Sequence, residues 1–272
     1  ARPPKRFRDA RCWVTGFRIC SFNVQSFGET KAANQEVMSF LVKILSRCDI
    51  CLVMEVRDLK ILLLSDPTVI SNLSLSLSLW HRFDRKHQYV YTASERLGHS
   101  SYREQYVFIY RSDVVTVEAS YQYREGESET LFTRPPLVVR FHSPRTAIKR
   151  FVLICQHTAP GLAVKEIDHL FDVFVEVRTA WDTEDIMLLG DFNAGCRYVP
   201  AGAWDGIRLR RHPGFRWLIR DSEDTTVRAH THCAYDRIVV HGHSLSSAIV
   251  PGSAKCFDFK TRFNLTEAEV IE

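Results

Sequence analysis

FRICSFNVQSFGETKAANQEVMSFLVKILSRCDICLVMEV, residues 17–56, contains two strand-like runs on either side of an amphipathic helix. The runs FRICSFNV and ICLVMEV are rich in the β-branched and aromatic residues that strands favour. Between them, apolar residues recur at i, i+3, i+4, i+7 and i+8, which is the spacing of one helical face. These residues are Val37, Phe40, Leu41, Ile44 and Leu45. The stretch therefore predicts a β-α-β unit.

The rest of the chain continues this alternation. Four strand-like runs follow with little between them but turns, namely YVFIYR (106–111), VVTVEASYQY (114–123), PLVVRFHS (136–143) and RFVLICQH (150–157). We expect them to be neighbouring antiparallel strands. A second helical stripe from Ile167 to Val177 leads into DIMLLGDFN (185–193), and YDRIVVHG (235–242) and SSAIV (246–250) complete the predicted strands. The pattern predicts a mixed α/β fold with helices outside the sheets.

Length and composition indicate a globular protein. The 272 residues fit one large domain or at most two, and a hydrophobic content of 45% is enough for a substantial core. A formal charge of +4 permits binding to polyanions but does not demand it. No apolar run is long enough to span a membrane, and the basic N-terminus ARPPKRFRDARCW lacks the apolar core of a signal peptide. We expect neither a membrane partner nor a signal peptide in this sequence.

Four of the eight cysteines stand out by their context. Cys48 and Cys51 form a C-x-x-C pattern where a helix leads into a strand, which is the reverse of the redox motif. No second C-x-x-C completes a zinc site, so we predict that both are buried thiols. Cys196 and Cys233 lie in polar segments beside candidate site strands. A bridge between them would stabilise the fold by about 3–4 kcal/mol and would imply an oxidising compartment.

Three other patterns are interpreted as surface features. Residues 59–80 carry a Ser/Leu alternation without turn residues that would set a strand register, which predicts an irregular insertion. Asn72 and Asn264 begin glycosylation acceptor patterns, which matter only in a secreted chain. Two histidine pairs alternate as on one face of a strand but have no cysteine or carboxylate partner at a fitting spacing, so they are predicted to be surface residues. These are His230, His232, His241 and His243.

Several apolar runs end in a polar residue that could bind metal or phosphate. These residues are Asn23, Glu55, His157, Asp191, Asn193 and Asp236. Because α/β sheets carry ligands at strand ends, the side chains could converge on one cleft. Carboxylate and carboxamide oxygens suit Mg²⁺, Mn²⁺ or Ca²⁺, and a histidine can deliver a proton near neutral pH. Together the residues predict metal-assisted hydrolysis of a phosphodiester.

Each residue also has a simpler interpretation when it is taken alone. A carboxylate that closes a strand is usually a solvated turn residue or a helix cap. Glu104 could be an exposed strand residue, and His157 could be a hydrogen-bonded core histidine. Tyr102 and Tyr198 could be packing residues. The functional interpretation therefore depends on the set and not on any one member.

Six motifs, in order, resemble the deoxyribonuclease I family of the endonuclease/exonuclease/phosphatase fold, and most closely its gamma branch. They are ICSFNVQSFGE (19–29), RCDICLVMEV (47–56), RLGHSSYREQYVFIYR (96–111), LLGDFNAGCRYVP (188–200), WLIRDSEDTTV (217–227) and CAYDRIVV (233–240). The resemblance covers residues 17–58 and 89 to about 269. It implies a four-layer α/β sandwich of two packed mixed, largely antiparallel sheets with helices outside, over residues 17–272, after an N-terminal extension of residues 1–16.

The resemblance implies a metal ligand and a proton donor. Glu55 matches the metal-binding glutamate of the family, with Asn23 beside it, and the implied catalytic metal is Mg²⁺ or Mn²⁺. Glu104 matches the carboxylate that orients a histidine, here His157. A carboxylate on one imidazole nitrogen fixes the tautomer and favours the imidazolium, so that His157 could donate a proton to the departing 3′ oxygen.

Five further residues match catalytic or calcium positions. Asp191 and Asn193 correspond to the pair that holds the metal and the scissile phosphate, and Asp236 to the carboxylate partner of a second catalytic histidine. Asp224 and Thr226 resemble part of a structural Ca²⁺ site.

The resemblance also implies DNA contacts, partners and a location. Residues at the family's phosphate and groove contacts are Arg57, Tyr102, Arg134 and Tyr198. Cys196 and Cys233 match the family's disulfide. The implied partner is double-stranded DNA, with chromatin as a further substrate, and the implied state is a monomer. The family implies a secreted or endoplasmic-reticulum protein, and the N-terminus without a signal peptide leaves a nuclear location open.

The sequence departs from the family pattern at several places. Cys155 and Gln156 replace the usual Pro-Leu before the catalytic histidine, and Pro135 stands where a glutamate that could bind calcium is common. The atypical insertion at residues 59–86 could displace the wall beside Glu55.

The largest departure concerns the C-terminal end. In the family, the segment that resembles FNLTEAEVIE (263–272) continues into a Ser-Asp-His motif and a final core strand, and this sequence stops at Glu272. Loss of a general acid or base typically costs about 10²–10⁴ in rate. Two functions are therefore expected. The first is a divalent-metal-dependent endonuclease that cuts DNA with little sequence specificity. The alternative is a truncated, weakly active or inactive homologue that at most binds DNA.

Overall fold

Two β-sheets packed against each other form the centre of the molecule, with helices on both outer faces. The computed structural model describes residues 16–57, 84–98, 102–126 and 130–271. The predicted N-terminal extension and the predicted insertion at 59–86 lie outside these ranges, apart from Gly16 and residues 84–86, and Asn72 also lies outside them.

Within the described residues, the first sheet has four strands in the order β1-β2-β4-β3. They are β1 (Ile19–Phe27), β2 (Ile50–Val56), β3 (Tyr89–Ala93) and β4 (Gln105–Arg111). β1 and β2 are parallel, and the other two pairs are antiparallel. Helices α1 (Glu29–Ala33) and α2 (Gln35–Leu45) form the crossover that a parallel pair requires. The predicted β-α-β unit is confirmed.

The second sheet has six strands in the described ranges, in the order β5-β6-β7-β8-β10-β9. They are β5 (Thr116–Gln122), β6 (Leu137–His142), β7 (Arg150–Cys155), β8 (Ile186–Asp191), β9 (Phe215–Trp217) and β10 (Asp236–His241). β7 and β8 are parallel and are connected through α3 (Ala163–Trp181), whereas the other neighbours are antiparallel.

The remaining helical elements are short. They are α4 (Arg208–Arg211), α5 (His243–Ala248), α6 (Phe259–Phe263), α7 (Glu267–Ile271) and the 3₁₀ turns Pro160–Leu162 and Ala201–Gly206. No helix within the described ranges combines the length and the apolar character needed to cross a bilayer.

Three apolar clusters separate the layers. The first lies between α2 and the first sheet and includes Met38 and Val53. The second fills the space between the two sheets and includes Phe108 of the first sheet and Leu153 of the second. The third lies between the second sheet and α3 and includes Phe174. The order helix, sheet, sheet, helix confirms the predicted four-layer α/β sandwich.

The prediction of four consecutive antiparallel strands is confirmed for β5, β6 and β7 and wrong for the first run. YVFIYR forms β4, which lies between β2 and β3 in the other sheet. Its residues 106–110 are all buried because both faces of this strand are covered. A short turn at 112–114 carries the chain from one sheet to the other, and local periodicity does not show which sheet a strand joins.

The predicted strand SSAIV (246–250) is wrong, because most of it belongs to helix α5. Gly242, with φ of +95°, turns the chain sharply after β10. The side chain of Asp185 then accepts a hydrogen bond from the backbone N–H of Leu245 at 2.8 Å, and Leu245 is buried. This tertiary contact at the start of the helix cannot be read from the local sequence.

The interpretation of all four paired histidines as surface residues is wrong for His241. His241 ends β10 and is 8% exposed, and its ring centroid lies 4.5 Å from that of Phe174 and 5.0 Å from that of Phe215. Its Nδ1 lies 3.1 Å from the carbonyl oxygen of Glu184. β10 lies between β8 and β9, and α3 covers the face of the sheet on which His241 lies. The alternation of histidines in the sequence does not show that this face is covered.

The cysteine pattern at 48–51 also requires a correction. Cys48 is not a free thiol, since it forms a disulfide with Cys20 on β1 across a Cα–Cα distance of 6.1 Å. Cys51 is a buried free thiol as predicted, and burial raises its pKa. The structure also contains the disulfide Cys196–Cys233, with Cα atoms 5.9 Å apart, that the resemblance implies.

The Cys20–Cys48 disulfide is expected to stabilise the first sheet. Its partners are 28 residues apart, and the chain-entropy model gives about 3–4 kcal/mol for a loop of this size. Replacing both by alanine should lower the free energy of unfolding in urea by about this amount. Cys256→Ser, at an exposed free cysteine, is the control and should change it little. A double variant as stable as the parent in non-reducing buffer would contradict the prediction.

Candidate active site

The polar strand ends singled out in the sequence meet at one edge of the two sheets. Asn23 lies on β1 and Glu55 on β2 of the first sheet, and Asp191 ends β8 of the second. His157 follows β7, which is parallel to β8. Because parallel strands end at the same edge, these residues approach one another across the gap between the sheets.

A break in the β1–β2 ladder aims the first-sheet residues into this gap. The register shifts between Asn23 and Phe27, and Gln25, Ser26 and Glu55 have positive φ angles of 45°, 54° and 59°. A bulge of this kind bends a strand and redirects its side chains. The irregular backbone therefore directs the polar groups of β1 and β2 towards β8.

Asn23 connects two carboxylates that come from different sheets. Its Nδ2 donates to Oε1 of Glu55 at 2.9 Å and to Oδ2 of Asp191 at 3.1 Å. Its own Oδ1 accepts from the backbone N–H of Gln25 at 2.9 Å. The carboxamide is thereby fixed in orientation, and it holds Glu55 and Asp191 close together without adding charge.

Glu55 is held in its ionised form. Burial acts to raise its pKa, but hydrogen bonds from Asn23, Tyr102 and Ser26, together with the nearby His157, outweigh burial and lower it. The second oxygen, Oε2, accepts from Tyr102 Oη at 2.9 Å and from the Ser26 backbone N–H at 2.8 Å. Tyr102 therefore contacts the candidate metal ligand directly, which makes it more than a packing residue.

His157 lies between a buried carboxylate and the paired carboxylates. Its Nδ1 is 2.6 Å from Oε1 of Glu104, and these two residues are 7% and 1% exposed. Its Nε2 is 4.0 Å from Oε1 of Glu55 and 4.0 Å from Oδ2 of Asp191. A proton on Nδ1 directed at Glu104 leaves Nε2 facing the cleft, where it can exchange a proton with a bound group.

Asp191 and Asn193 are shaped by the backbone that follows β8. Gly190 has φ of +141°, and a Cβ at this position would lie 2.0 Å from the carbonyl oxygen of Gln156, so only glycine allows this approach. Oδ1 of Asp191 accepts from the Asn193 backbone N–H at 3.0 Å. Asn193 has φ of +47°, and its Nδ2 donates to the Thr158 carbonyl at 3.0 Å. The β8 end is thus tied to the His157 segment.

Asp236 begins β10 directly opposite Asp191 in the ladder. Burial and the negative charge of Asp191 raise its pKa well above the usual range, and a hydrogen bond from Thr225 opposes them. Asp236 therefore lies beside Asp191, and its membership of the catalytic set stays a prediction.

The predicted DNA-contact residues occupy different depths. Arg57 is exposed, and its guanidinium lies 5.0 Å from the centre of the Tyr102 ring. The half-buried Tyr198 packs against Tyr235 at 5.4 Å between ring centroids. Arg134 instead turns inward, with its side chain 12% exposed. Arg57 and Tyr198 therefore form the rim of the cleft, whereas Arg134 lies beneath it.

Arg134 supports the segment that carries His157. Its Nε donates to the His157 carbonyl at 2.9 Å and its Nη2 to the Thr158 carbonyl at 3.0 Å. Its Nε also lies 3.4 Å from Oε1 of Glu104. The inward orientation places a positive charge beside the carboxylate that orients the imidazole.

The candidate calcium residues lie together in the loop before β10. Oδ1 of Asp224 accepts from the Thr226 backbone N–H at 2.9 Å and from its hydroxyl at 2.6 Å, and Oδ2 lies 2.8 Å from Nδ1 of His232. The Thr226 hydroxyl also lies within hydrogen-bond distance of the Thr231 carbonyl oxygen, so its one proton is shared between these two acceptors. Burial acts to raise the pKa of Asp224, but the bonds from Thr226 and His232 lower it. The loop therefore brings together oxygen atoms of the kind that bind Ca²⁺. His232 lies against one oxygen of the Asp224 carboxylate.

Several supporting residues were missed by the sequence analysis. Tyr106 is fully buried, its hydroxyl accepts from the His157 backbone N–H at 2.9 Å, and it donates to the Arg134 carbonyl at 3.1 Å. Burial raises its pKa well above the usual range, which keeps the hydroxyl protonated. Glu166 and Gln156 are also buried behind His157. The sequence signal for Tyr106 and Glu166 is a polar residue inside an apolar strand or helix face, whereas Gln156 stood out only as a departure from the family pattern.

The carboxylates of Glu55 and Asp191 fit an ion such as Mg²⁺, which keeps several waters, better than an ion that needs protein ligands on all sides. Among the described residues, no group of three or more His, Cys, Asp or Glu side chains is arranged to enclose a metal. Glu55 and Asp191 instead offer two hard carboxylates held through one amide, and Mg²⁺ commonly binds one or two carboxylates and keeps several waters. The residues present therefore fit Mg²⁺ or Mn²⁺.

Comparison with known proteins shows the family of this chain. The sequence matches the model of the Endonuclease/Exonuclease/phosphatase family over residues 20–253, and the chain belongs to that family. Within it, the chain is 46% identical to Deoxyribonuclease gamma of Mus musculus, over 94% of this chain and 80% of the relative. It is 48% identical to Deoxyribonuclease-1 of Sus scrofa, over 93% of this chain and 87% of the relative. The family suggested by the sequence motifs is confirmed.

Solved structures agree on the fold. An endonuclease/exonuclease/phosphatase family protein from Leptotrichia buccalis superposes with a TM-score of 0.56 at 12% identity, covering 84% of this chain and 88% of that one. A mannosyl-6-phosphatase from Bacteroides thetaiotaomicron gives a TM-score of 0.55 at 12% identity, covering 84% and 86%. At such identities the likeness concerns the architecture alone. Enzymes of this family depend on divalent metal ions.

Proposed function

We propose that the protein is an endonuclease that hydrolyses phosphodiester bonds of double-stranded DNA with little sequence specificity. The observation that carries this proposal is the arrangement of His157, whose Nδ1 is bonded to Glu104 while its Nε2 lies 4.0 Å from both Glu55 and Asp191. Similarity to two deoxyribonucleases at 46% and 48% identity supports DNA as the substrate.

The proposed metal ligands are Glu55 and Asp191, with Asn23 between them. Bound there, Mg²⁺ or Mn²⁺ would supply positive charge to the phosphate oxygens as negative charge develops on them. The low pKa of Glu55 keeps that carboxylate ionised at neutral pH, so it is ready to bind a cation. Asn193, tied to Asp191 and Thr158, would orient the scissile phosphate with its side-chain amide.

His157 is proposed to move the proton. With Glu104 on Nδ1, the ring is fixed so that Nε2 faces the cleft, from where it can donate a proton to the departing 3′ oxygen. Asp236, beside Asp191 at the start of β10, completes the proposed catalytic set.

DNA would be held by charge and shape at the rim of the cleft. Arg57 is exposed and lies against Tyr102, and Tyr198 lies in the loop after β8, beside Tyr235. Contacts of this kind to the phosphate backbone carry no base information. We also propose that chromatin is a further substrate and that the protein is a monomer.

Arg57→Ala is expected to raise KM for DNA and to reduce the salt dependence of binding by a slope of about 1, with kcat changing less. Arg150→Ala is the matched control, because Arg150 is 70% exposed but starts β7 at the end of the strand remote from His157. Initial rates at a series of salt concentrations measure both effects. An unchanged KM and salt slope in Arg57→Ala would exclude the proposed contact.

We also propose a cellular location for the protein and a second, structural metal site. Two disulfides favour an oxidising compartment, which supports a secreted or endoplasmic-reticulum protein over a nuclear one. The oxygen donors around Asp224 and Thr226 support a structural Ca²⁺ site in the loop before β10.

Closed circular DNA distinguishes an endonuclease from an enzyme that requires ends. Purified protein with Mg²⁺ should convert supercoiled plasmid into nicked and then linear forms, and sequencing of the new ends should show cuts at many unrelated sites. Cleavage confined to linear DNA would exclude endonuclease action. Cuts at one recurrent sequence would exclude a mechanism without sequence preference.

A further inference from the structure

A second buried carboxylate lies behind the candidate active site. Glu166, in the first turn of α3, is completely buried. Among the described residues, no lysine, arginine or histidine forms an ion pair with it. An ionised carboxylate without a countercharge is costly to bury unless hydrogen bonds satisfy it. Its place at the positive N-terminal end of a 19-residue helix lowers this cost.

Hydrogen bonds to Glu166 come from both segments that surround His157. Oε2 accepts from the Ala159 backbone N–H at 3.0 Å and from Nε2 of Gln156 at 3.2 Å. Oε1 accepts from the Thr133 backbone N–H at 2.9 Å. Gln156 and Ala159 immediately flank residues 157–158. Thr133 directly precedes Arg134, the arginine that donates to the carbonyls of His157 and Thr158.

Gln156 strengthens the same connection. It is completely buried, and its Nε2 also lies 3.3 Å from the His157 carbonyl, to which Arg134 donates as well. Its Oε1 has no hydrogen-bond partner. This glutamine stands where the family usually has leucine, so the Gln156–Glu166 contact is not implied by the resemblance.

The backbone of residues 156–159 is thus held from several directions. The His157 N–H donates to Tyr106, the Thr158 N–H donates to the Asp191 carbonyl, and Ala159 is bonded to Glu166. Tyr106 and Arg134 link the segment around His157 to the segment around Arg134. Glu166 adds a third link between them, because it accepts from Ala159 and Gln156 on one segment and from Thr133 on the other.

We propose that Glu166 is a positioning residue of the catalytic centre, and that Gln156 is its partner. By fixing the N–H of Ala159 and the amide of Gln156, Glu166 keeps the His157 ring directed from Glu104 towards Glu55 and Asp191. The inference rests on the proposed function, because it assigns His157 a role in DNA cleavage. Glu166 itself touches neither the substrate nor the metal.

The test compares Glu166→Gln with Gln156→Leu and with the double variant. Glu166→Gln is nearly isosteric but presents an NH₂ group to backbone donors, so residues 156–159 should shift. Since a displacement of about 1 Å can cost about 10²-fold, kcat should fall about 10- to 100-fold with little change in KM. Gln156→Leu keeps both backbone bonds to Glu166 and should lose less. The double variant should lose less than the product of the single effects, because the two residues act as a pair.

Glu176→Gln is the matched control. It lies on the same helix, is exposed, and accepts a hydrogen bond from the hydroxyl of Tyr121 at 3.3 Å. Its kcat should equal that of the parent protein. Circular dichroism and urea unfolding confirm that each variant is folded under the assay conditions.

A signal independent of catalysis separates this inference from the proposed function. The Nδ1 proton in the short bond between His157 and Glu104 should give a low-field NMR resonance in the metal-free protein, assigned by its absence in His157→Ala. Glu166→Gln should broaden or shift it, and Glu176→Gln should not. Loss of stability with both the resonance and kcat unchanged would overturn the positioning role. If the parent protein does not cleave DNA, the proposed function fails, and the resonance alone decides about Glu166.

Discussion

Replacement of His157 by alanine is expected to lower the rate of plasmid cleavage by about 10²–10⁴-fold, the usual contribution of a positioned general acid or base. The imidazole is bonded at Nδ1 to the buried Glu104, and its Nε2 faces the carboxylates of Glu55 and Asp191. No other histidine of the described residues is placed within 4.0 Å of those two carboxylates. The effect should lie in kcat, because His157 is buried and adds little to DNA contact.

Two comparisons sharpen this prediction. Glu104→Gln should lower kcat by a smaller factor, since the amide can still orient the ring but no longer places a carboxylate beside it. His243→Ala, at an exposed histidine outside the cleft, should cleave at the parent rate. The assignment of His157 as proton donor is wrong if His157→Ala retains kcat within a few-fold of the parent protein.

Replacement of Glu55 by glutamine is expected to lower cleavage by about 10²–10³-fold and to weaken Mg²⁺ or Mn²⁺ binding. Glutamine preserves the volume of the side chain but removes its negative charge, which the groups around Glu55 stabilise. Hydrogen bonds from Asn23, Tyr102 and Ser26 lower the pKa of this carboxyl, so it is ionised in neutral solution. Isothermal titration with Mn²⁺ and initial cleavage rates measure the two consequences separately.

Glu118→Gln serves as the control for the loss of one carboxylate, because Glu118 lies on β5 and pairs with Arg150 away from the cleft. It should bind Mn²⁺ and cleave DNA as the parent does. If Glu55→Gln binds Mn²⁺ with undiminished affinity, the metal is held elsewhere and the carboxylate pair has a different role.

Much of the fold follows from local patterns in the sequence. The helical spacing from Val37 to Leu45 and the strand-like runs beside it predict α2, β1 and β2, and the structure confirms all three. The strand ends that carry Asn23, Glu55 and Asp191 also converge as expected, because parallel strands bring their ends to one edge of a sheet.

The remaining features depend on contacts between distant parts of the chain. Cys48 pairs with Cys20 and not with the nearby Cys51, since the turn after α2 runs beside the start of β1, where the Asp49 N–H donates to the Arg18 carbonyl. His241 is buried because α3 covers β10. YVFIYR joins the first sheet through its pairing with β2 and β3. None of these partners is encoded by the spacing of neighbouring residues.

The residues that hold the His157 segment in place could not be predicted from the sequence either. Arg134 was predicted to reach DNA, but its guanidinium is bound to the carbonyls of His157 and Thr158, and its role in DNA contact stays a prediction. Tyr106 lies within a family motif but was predicted only as a strand residue, and Glu166 lies in no quoted motif. A polar side chain inside an apolar element shows only that some buried partner exists, and the fold determines which one it is.

Cleavage of supercoiled plasmid by the full chain, with Mg²⁺ and after its removal by a chelator, tests most directly whether Asn23, Glu55 and Asp191 form a metal-dependent hydrolytic centre. The expected result is nicking in Mg²⁺ that ceases with the chelator, returns when excess Mg²⁺ is added, and falls about 10²–10³-fold in Glu55→Gln. Nicking at an unchanged rate in the chelator, or at the parent rate in Glu55→Gln, would contradict the account.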